Sequence, residues 1–162
     1  MAPSRWVVNA SPLILLGKAG QLGLLSALTR QIAIPLAVAE EVGARPDGKA
    51  TLQVIAINPV FVIAKNEVPT PEIMSWDLGA GETQVILNAR IHGADRVVID
   101  DLAARRCAQA MGLKIIGTLG LVGRAKVMGL IDRAAPLVRR LRESGLYASD
   151  ELIERLLREV GE

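Results

Sequence analysis

Between residues 95 and 129 the chain reads "DRVVID", "DLAARRCAQAM", Gly112, "KIIGT", "LGLVGRAKVM" and Gly129. An apolar strand-like run, a helical pattern and a glycine stop occur twice in succession, and that order leaves few folds open. Short apolar runs separated by helices belong in a buried parallel sheet, because parallel neighbours need a crossover and the crossover helix covers a face of the sheet. The apolar residues, 51% of the chain, are Val, Ile, Leu and Ala rather than rings, with aromatics at only 2%. That balance favours packed helices on buried strands over a sandwich or a base-stacking platform. The expected class is α/β.

The start of the chain repeats the unit. "RWVVNA" (5 to 10) reads as a strand, and Ser11 followed by Pro12 predicts a helix with Ser11 as N-cap and proline at the first helical position, leaving Asn9 at the strand's C-terminal end. "LILLGKAG" and "LGLLSALT" carry helical spacing around glycines, as two short helices or one interrupted helix. "QIAIP" (31 to 35) is a second strand, and "LAVAEEVGA" (36 to 44) a helix with Glu40 and Glu41 near its end. Residues 45 to 75 are the least legible: "TLQVIAI" suits a helix or a strand, "VFVIAK" (60 to 65) a strand, and Pro69 with Pro71 a loop. A helix from about Ala80 to His92 stops at Gly93. Two amphipathic helices, 132 to 144 and 149 to 160, close the chain, the second with Ser149 as N-cap and acids in its first turn.

A length of 162 residues suits one domain, the C-terminal helices 132 to 160 packing on it or extending from it. The net charge of +2 is too small to announce nucleic-acid binding; local clustering decides. Residues 90 to 126 hold Arg90, Arg96, Arg105, Arg106, Lys114, Arg124 and Lys126 against Asp95, Asp100 and Asp101, a basic footprint suited to phosphate contacts. One cysteine, Cys107, makes no internal disulfide, which fits a reducing compartment such as the cytoplasm. There is no leader-like N-terminus and no apolar run near the roughly 18 residues of a membrane span, so the expectation is a soluble, unprocessed protein with no membrane partner.

In an open α/β sheet, ligands bind beyond the C-terminal ends of the parallel strands. Asn9, Asp100 and Asp101 fall there. Asp101 also suits an N-cap, Glu82 a first-turn acid favoured by the helix dipole, and Glu41 a solvated face. Together Asn9, Glu41, Glu82 and Asp100 offer the oxygen ligands that hard cations such as Mg²⁺ or Mn²⁺ take.

A strand ending in an acid or amide before Ser-Pro, an acid in an "EEV" helix, an acid opening a later helix and another 18 positions on resemble the PIN-domain nucleases. The likeness is to proteins of the VapC toxin type and, within them, to an incompletely characterised subgroup. It rests on "NASPLILLGKAGQLGLL", "GAGETQVILNARIHGADRVVIDDLAARRCAQAMGL" and "GTLGLVGRAKVMGLI", about half the chain, with "LRESGLYASDELIERLLREVGE" also similar. The resemblance implies a three-layer α/β/α sandwich around a mainly parallel sheet and Mg²⁺- or Mn²⁺-dependent cleavage of RNA. It sets the family's four acidic positions on Asn9, Glu41, Glu82 and Asp100, makes Asp101 an auxiliary ligand or water-positioning group, and gives Ser11 a supporting role. It further implies a small antitoxin partner and a homodimer.

Asn9 departs from the family's aspartate. Its carbonyl can still ligate a cation, but the ligand set then carries three formal negative charges instead of four. Two readings follow: an endoribonuclease toxin, or a catalytically weakened PIN domain that binds RNA or protein. A receiver-like domain using Asp100 and Asp101 fits poorly, because such domains place their principal aspartate after an earlier strand. Arg105 and Arg106 are the candidate RNA contacts. His92 is expected to meet helix-end carbonyls or solvent, and Cys107, on one face with Ala104, Ala108 and Met111, to be core. Trp76 suits a lid or a loop anchor.

Overall fold

A computed structural model describes residues 4–162. Strands β1 (Arg5–Val8), β2 (Gln31–Pro35), β3 (Phe61–Ala64), β4 (Arg96–Val98) and β5 (Ile115–Ile116) form one parallel sheet in the order β3-β2-β1-β4-β5. The helices are α1 (Ala10–Lys18), α2 (Leu22–Leu28), α3 (Leu36–Gly43), α4 (Gly48–Ile57), α5 (Pro71–Met74), α6 (Ala80–His92), α7 (Leu102–Ala110), α8 (Thr118–Val127), α9 (Ala134–Glu143) and α10 (Asp150–Glu159). The arrangement is a three-layer α/β/α fold, as expected.

The first strand in sequence is the middle strand in space, with Trp6 paired to Ile32 on one side and to Arg96 on the other. Val7, Val8, Val97 and Val98 have no exposure, which is why these strands are apolar on both faces rather than alternating. The chain adds β2 and β3 on one side of β1 and then returns to lay β4 and β5 on the other. That reversal opens a crevice between the C-terminal ends of β1 and β4, the place where such sheets bind ligands.

Several local expectations are corrected. Helix α1 begins at Ala10, so Asn9 is the N-cap residue (φ −85°, ψ 170°) and Ser11 lies in the first turn with Pro12. Proline is harmless there because first-turn N–H groups have no intrahelical partner. The Ser11 hydroxyl instead reaches Asp100. The glycine-rich stretch makes two helices, parted by a turn with Gly20 at φ +67°. "TLQVIAI" is helical, burying Thr51 and Ile55 one turn apart. Gly48, which opens that helix, lies so close to α3 that a Cβ would overlap the Val42 carbonyl oxygen.

The C-terminal helices pack on α8, and α9 also meets α1. Ser149 caps α10 as expected, accepting from the Leu152 N–H at 3.2 Å. At its far end the chain folds back so that Glu162 caps α9, accepting from Ala134 N–H at 2.6 Å and Ala135 N–H at 3.2 Å. The Ala134 hydrogen bond leads the effects that hold the Glu162 carboxyl below its ordinary value.

Candidate active site

The crevice is closed at its base by the Asn9 N–H, which donates to the Val98 carbonyl at 3.0 Å and so ties the end of β1 to β4. Asn9 is only 3% exposed. Its Nδ2 faces Glu82 Oε1 at 3.4 Å, the favourable orientation, since the reverse would set the carbonyl against a carboxylate. Its Oδ1 is buried with no hydrogen-bond partner. The first turn of α6 explains what that oxygen faces. A Cβ on Gly81 would stand 2.8 Å from Glu41 Oε2 and 3.4 Å from Asn9 Oδ1, so both oxygens converge on space that any larger residue would fill. Gly79, the α6 N-cap, likewise leaves room for Glu82 to curl back over it.

Asp100 is held from the other side of the sheet. Thr118, the first residue of α8, donates its N–H to Oδ1 at 2.7 Å and its hydroxyl to Oδ2 at 2.6 Å, and the Ser11 hydroxyl donates to Oδ2 at 3.4 Å. A carboxylate at the start of a helix, taking a free N–H, is well placed electrostatically. Gly117 permits the approach, because a Cβ there would lie 2.7 Å from Arg105 Nη1 and 3.0 Å from Asp100 Oδ1. Asp101 turns into the N-cap of α7, accepting from the Ala104 N–H at 2.9 Å, while still lining the crevice.

Burial raises the Glu41 carboxyl above its ordinary value, and the neighbouring Glu82 adds to the shift against a smaller opposite pull from Arg45. An orphaned amide oxygen, two mutually repelling carboxylates and a third carboxylate held by helix α8 make an all-oxygen donor set short of positive charge. Its chemistry fits a hard divalent cation, Mg²⁺ or Mn²⁺. Among the described residues no three His, Cys, Asp or Glu side chains cluster by themselves as a metal site: Glu41 and Glu82 are neighbours, with the neutral Asn9 amide beside Glu82, and no third acid joins them as closely.

The crevice widens into a cavity of about 970 Å³. Asn9, Ser11, Glu82, Asp100, Asp101 and Arg105 line it from one side, and the α9–α10 turn with one face of α10 from the other. Glu41 stands behind Gly81, off this lining.

A family model described as PIN domain matches residues 5–162. The chain belongs to the PIN-domain family. PIN domains are in general nucleases and typically work with divalent ions, which agrees with the oxygen-lined crevice. No curated protein matches the chain in sequence. Among the described residues no helix is long and apolar enough to cross a membrane.

In this PIN domain the basic footprint is dispersed. Of its cations only Arg105 lines the crevice; Arg106, next along α7, does not. Arg96, Lys114 and Arg124 surround a separate cavity of about 420 Å³ formed with Ser4, Trp6 and Ala94. Arg124 stands 6.0 Å over the Trp6 ring, and Arg90 faces Glu72 at 3.4 Å. The reason is directional: Arg96 and Asp100 are close in sequence but flank opposite ends of β4. His92 meets the Glu67 carboxylate at 2.8 Å rather than backbone carbonyls, and Trp76 sits in the turn after α5 and does not line the crevice. Cys107 is core, its thiol raised chiefly by burial.

Thr118 and Gly117 escape a reading of the sequence, whereas "GAG" before Glu82 reads as room for a close backbone approach, which Gly79 and Gly81 supply. Thr118 reads as the end of the strand "KIIGT", yet it opens α8. The available signal is positional, since Gly117-Thr118 follows β5 as Asn9 follows β1, at the C-terminal edge of the same sheet.

Proposed function

We propose that this PIN domain is a Mg²⁺- or Mn²⁺-dependent endoribonuclease that hydrolyses RNA phosphodiester bonds. We further propose that residues 1–162 act as one unit in the cytoplasm, as the homodimeric toxin of a toxin and antitoxin pair whose small antitoxin covers the crevice. The observation that carries the catalytic reading is the unpartnered Asn9 Oδ1, buried beside Glu41 over the open space at Gly81.

Asn9, Glu41, Glu82 and Asp100 would hold the ion. Once bound, it supplies neutralisation of phosphoryl charge and acidification of a water. The chain's own residues do the rest. Thr118 and Ser11 fix the Asp100 carboxylate, so its oxygens are oriented before substrate arrives. Asp101, anchored on the α7 N-terminus, presents its remaining acceptor capacity to the crevice and can orient a water there. Arg105 offsets the acidic floor and offers a phosphate contact with little base preference; Arg106 is a contact for RNA running outside the crevice. Glu41 must be ionised to take up the ion, and in the metal-free chain its raised value means that protons compete for it at higher pH than for an ordinary glutamate, so metal uptake weakens earlier on acidification.

The second reading, a binding module without cleavage, is favoured by one feature: the Asn9 amide contacts Glu82 and leaves the set with three formal charges. Purified protein incubated with single-stranded RNA and Mn²⁺ or Mg²⁺ separates the two. Cleavage is expected, and EDTA or Asp100→Asn abolishes it. Undiminished cleavage by Asp100→Asn refutes the assigned site, and RNA binding without cleavage under either ion selects the second reading. Growth arrest on expression, relieved by a co-expressed partner protein, tests the toxin assignment.

A further inference from the structure

The chain has four aromatic side chains: two Trp, one Tyr and one Phe. Trp6 and Phe61 are buried and Trp76 is not among the residues that line the crevice. Tyr147 differs from all of them, being 100% exposed and part of the crevice lining. It lies in the turn between α9 and α10, and that turn is pinned on both sides of it. The Leu146 N–H donates to the Leu141 carbonyl at 2.9 Å, and Arg142 Nη2 donates to the Ala148 carbonyl at 3.4 Å while its Nη1 pairs with Asp150 at 2.8 Å. The backbone is therefore fixed, yet the ring gains nothing from packing within the chain.

Two guanidinium groups share the crevice with the ring: Arg105 from α7 and Arg155 from α10. Neither is in an ion pair among the described residues. Glu159, one turn beyond Arg155, is the acid on that wall. The crevice thus offers an exposed aromatic ring on a pinned turn and two cations outside any ion pair around the oxygen-lined floor. This is the pairing of stacking surface and backbone-tracking charge by which proteins hold single-stranded nucleic acid without reading its sequence.

We propose that Tyr147 is a stacking platform for one base of single-stranded RNA beside the scissile phosphodiester, with Arg155 and Arg105 holding phosphates from the two walls; the proposal rests on the endoribonuclease reading. Because a base in a duplex is already stacked on its neighbours, Tyr147 selects single strands. Arg155 and Tyr147 act by positioning substrate and take no part in bond cleavage.

The test uses the full chain and a single-stranded oligoribonucleotide carrying 2-aminopurine, whose fluorescence falls on stacking. Binding is read with Ca²⁺, which prefers more ligands and a looser geometry than Mg²⁺; cleavage is read with Mg²⁺. Tyr147→Ala is expected to weaken binding about 5- to 150-fold, the range for losing one stacked base, and to abolish the quench. KM should rise while kcat at saturating RNA stays within about twofold. Tyr147→Phe should restore both binding and quench, and Arg155→Gln should weaken binding and flatten its salt dependence. An exposed ring bears no fold, so Tyr147→Ala should melt with the wild type. If the wild type cleaves RNA and Tyr147→Ala binds and quenches equally well, the platform is refuted and the nuclease reading stands. If the wild type neither binds nor cleaves, both fall.

Discussion

Asn9→Asp exchanges an amide for a carboxylate of nearly the same volume at a position 3% exposed, so its effects are electrostatic. Without metal, the new charge faces Glu41 and Glu82 and forfeits the Nδ2 contact with Glu82. Two unit charges about 4 Å apart at an effective dielectric of about 20 repel by roughly 4 kcal/mol. Uptake of a proton relieves part of that, leaving a cost of about 1–3 kcal/mol, comparable to an unsatisfied buried polar group. For a chain of this size each kcal/mol lowers the melting temperature by about 2–4 °C, so the metal-free variant should melt roughly 2–12 °C below the wild type. With Mn²⁺ that loss is partly or wholly recovered. A fourth negative ligand should tighten binding at least about tenfold, and each tenfold adds about 1.4 kcal/mol to the stabilisation at fixed, saturating metal. Calorimetric melting with and without Mn²⁺, together with a direct Mn²⁺ titration at neutral pH, reads both arms. Equal metal-free melting and equal Mn²⁺ affinity would remove Asn9 from the ligand set and overturn the argument.

Thr118→Val deletes the hydroxyl that donates to Asp100 and keeps the shape; it should cost about 1.5–3 kcal/mol in urea unfolding and lower kcat, with Thr118→Ser recovering both. Gly48→Ala drives a Cβ into the Val42 carbonyl and should cost at least about 1–3 kcal/mol while Mn²⁺ affinity holds; an unchanged urea midpoint would contradict the α3–α4 packing. Glu162 has a folded-state pKa below its ordinary 4.5, so its contribution is full above that pH and fades as pH falls through the depressed value. The stability gap between wild type and Glu162→Gln should therefore be present at neutral pH and vanish in acid, as read by urea midpoints across pH.

The strand and helix alternation was legible because burial on both faces forces unbroken apolar runs, and "DRVVID" and "QIAIP" carry that mark. Asn9, Glu82, Asp100 and Asp101, which line the crevice, were legible as polar residues at strand ends and helix starts. Ser11 was misplaced as the N-cap because Ser-Pro is an equally good local start two residues on; the hydroxyl's tertiary partner, Asp100, decides the matter. "TLQVIAI" was ambiguous because its β-branched residues suit either conformation until α4 packs Thr51 and Ile55 inward. The basic footprint failed for a geometric reason: proximity along a parallel strand does not place two charges at the same end. Thr118 was hidden because its bond to Asp100 spans 18 residues and depends on β5 lying beside β4.

The central place of β1 carries a consequence for how the protein comes into being. Chain synthesis delivers Asn9, Glu41 and Glu82 early, together with β2 and β3, but β1 keeps one edge bare until β4 arrives ninety positions after it, as Arg96 pairs with Trp6. Only then do Asp100 and Thr118 join the crevice. An unfinished chain therefore holds most of the acids without the closed crevice, and its open strand edge is a target for chaperones or for self-association. Closure of the sheet brings the floor of the crevice together, and the wall formed by the α9–α10 turn and α10 is delivered last.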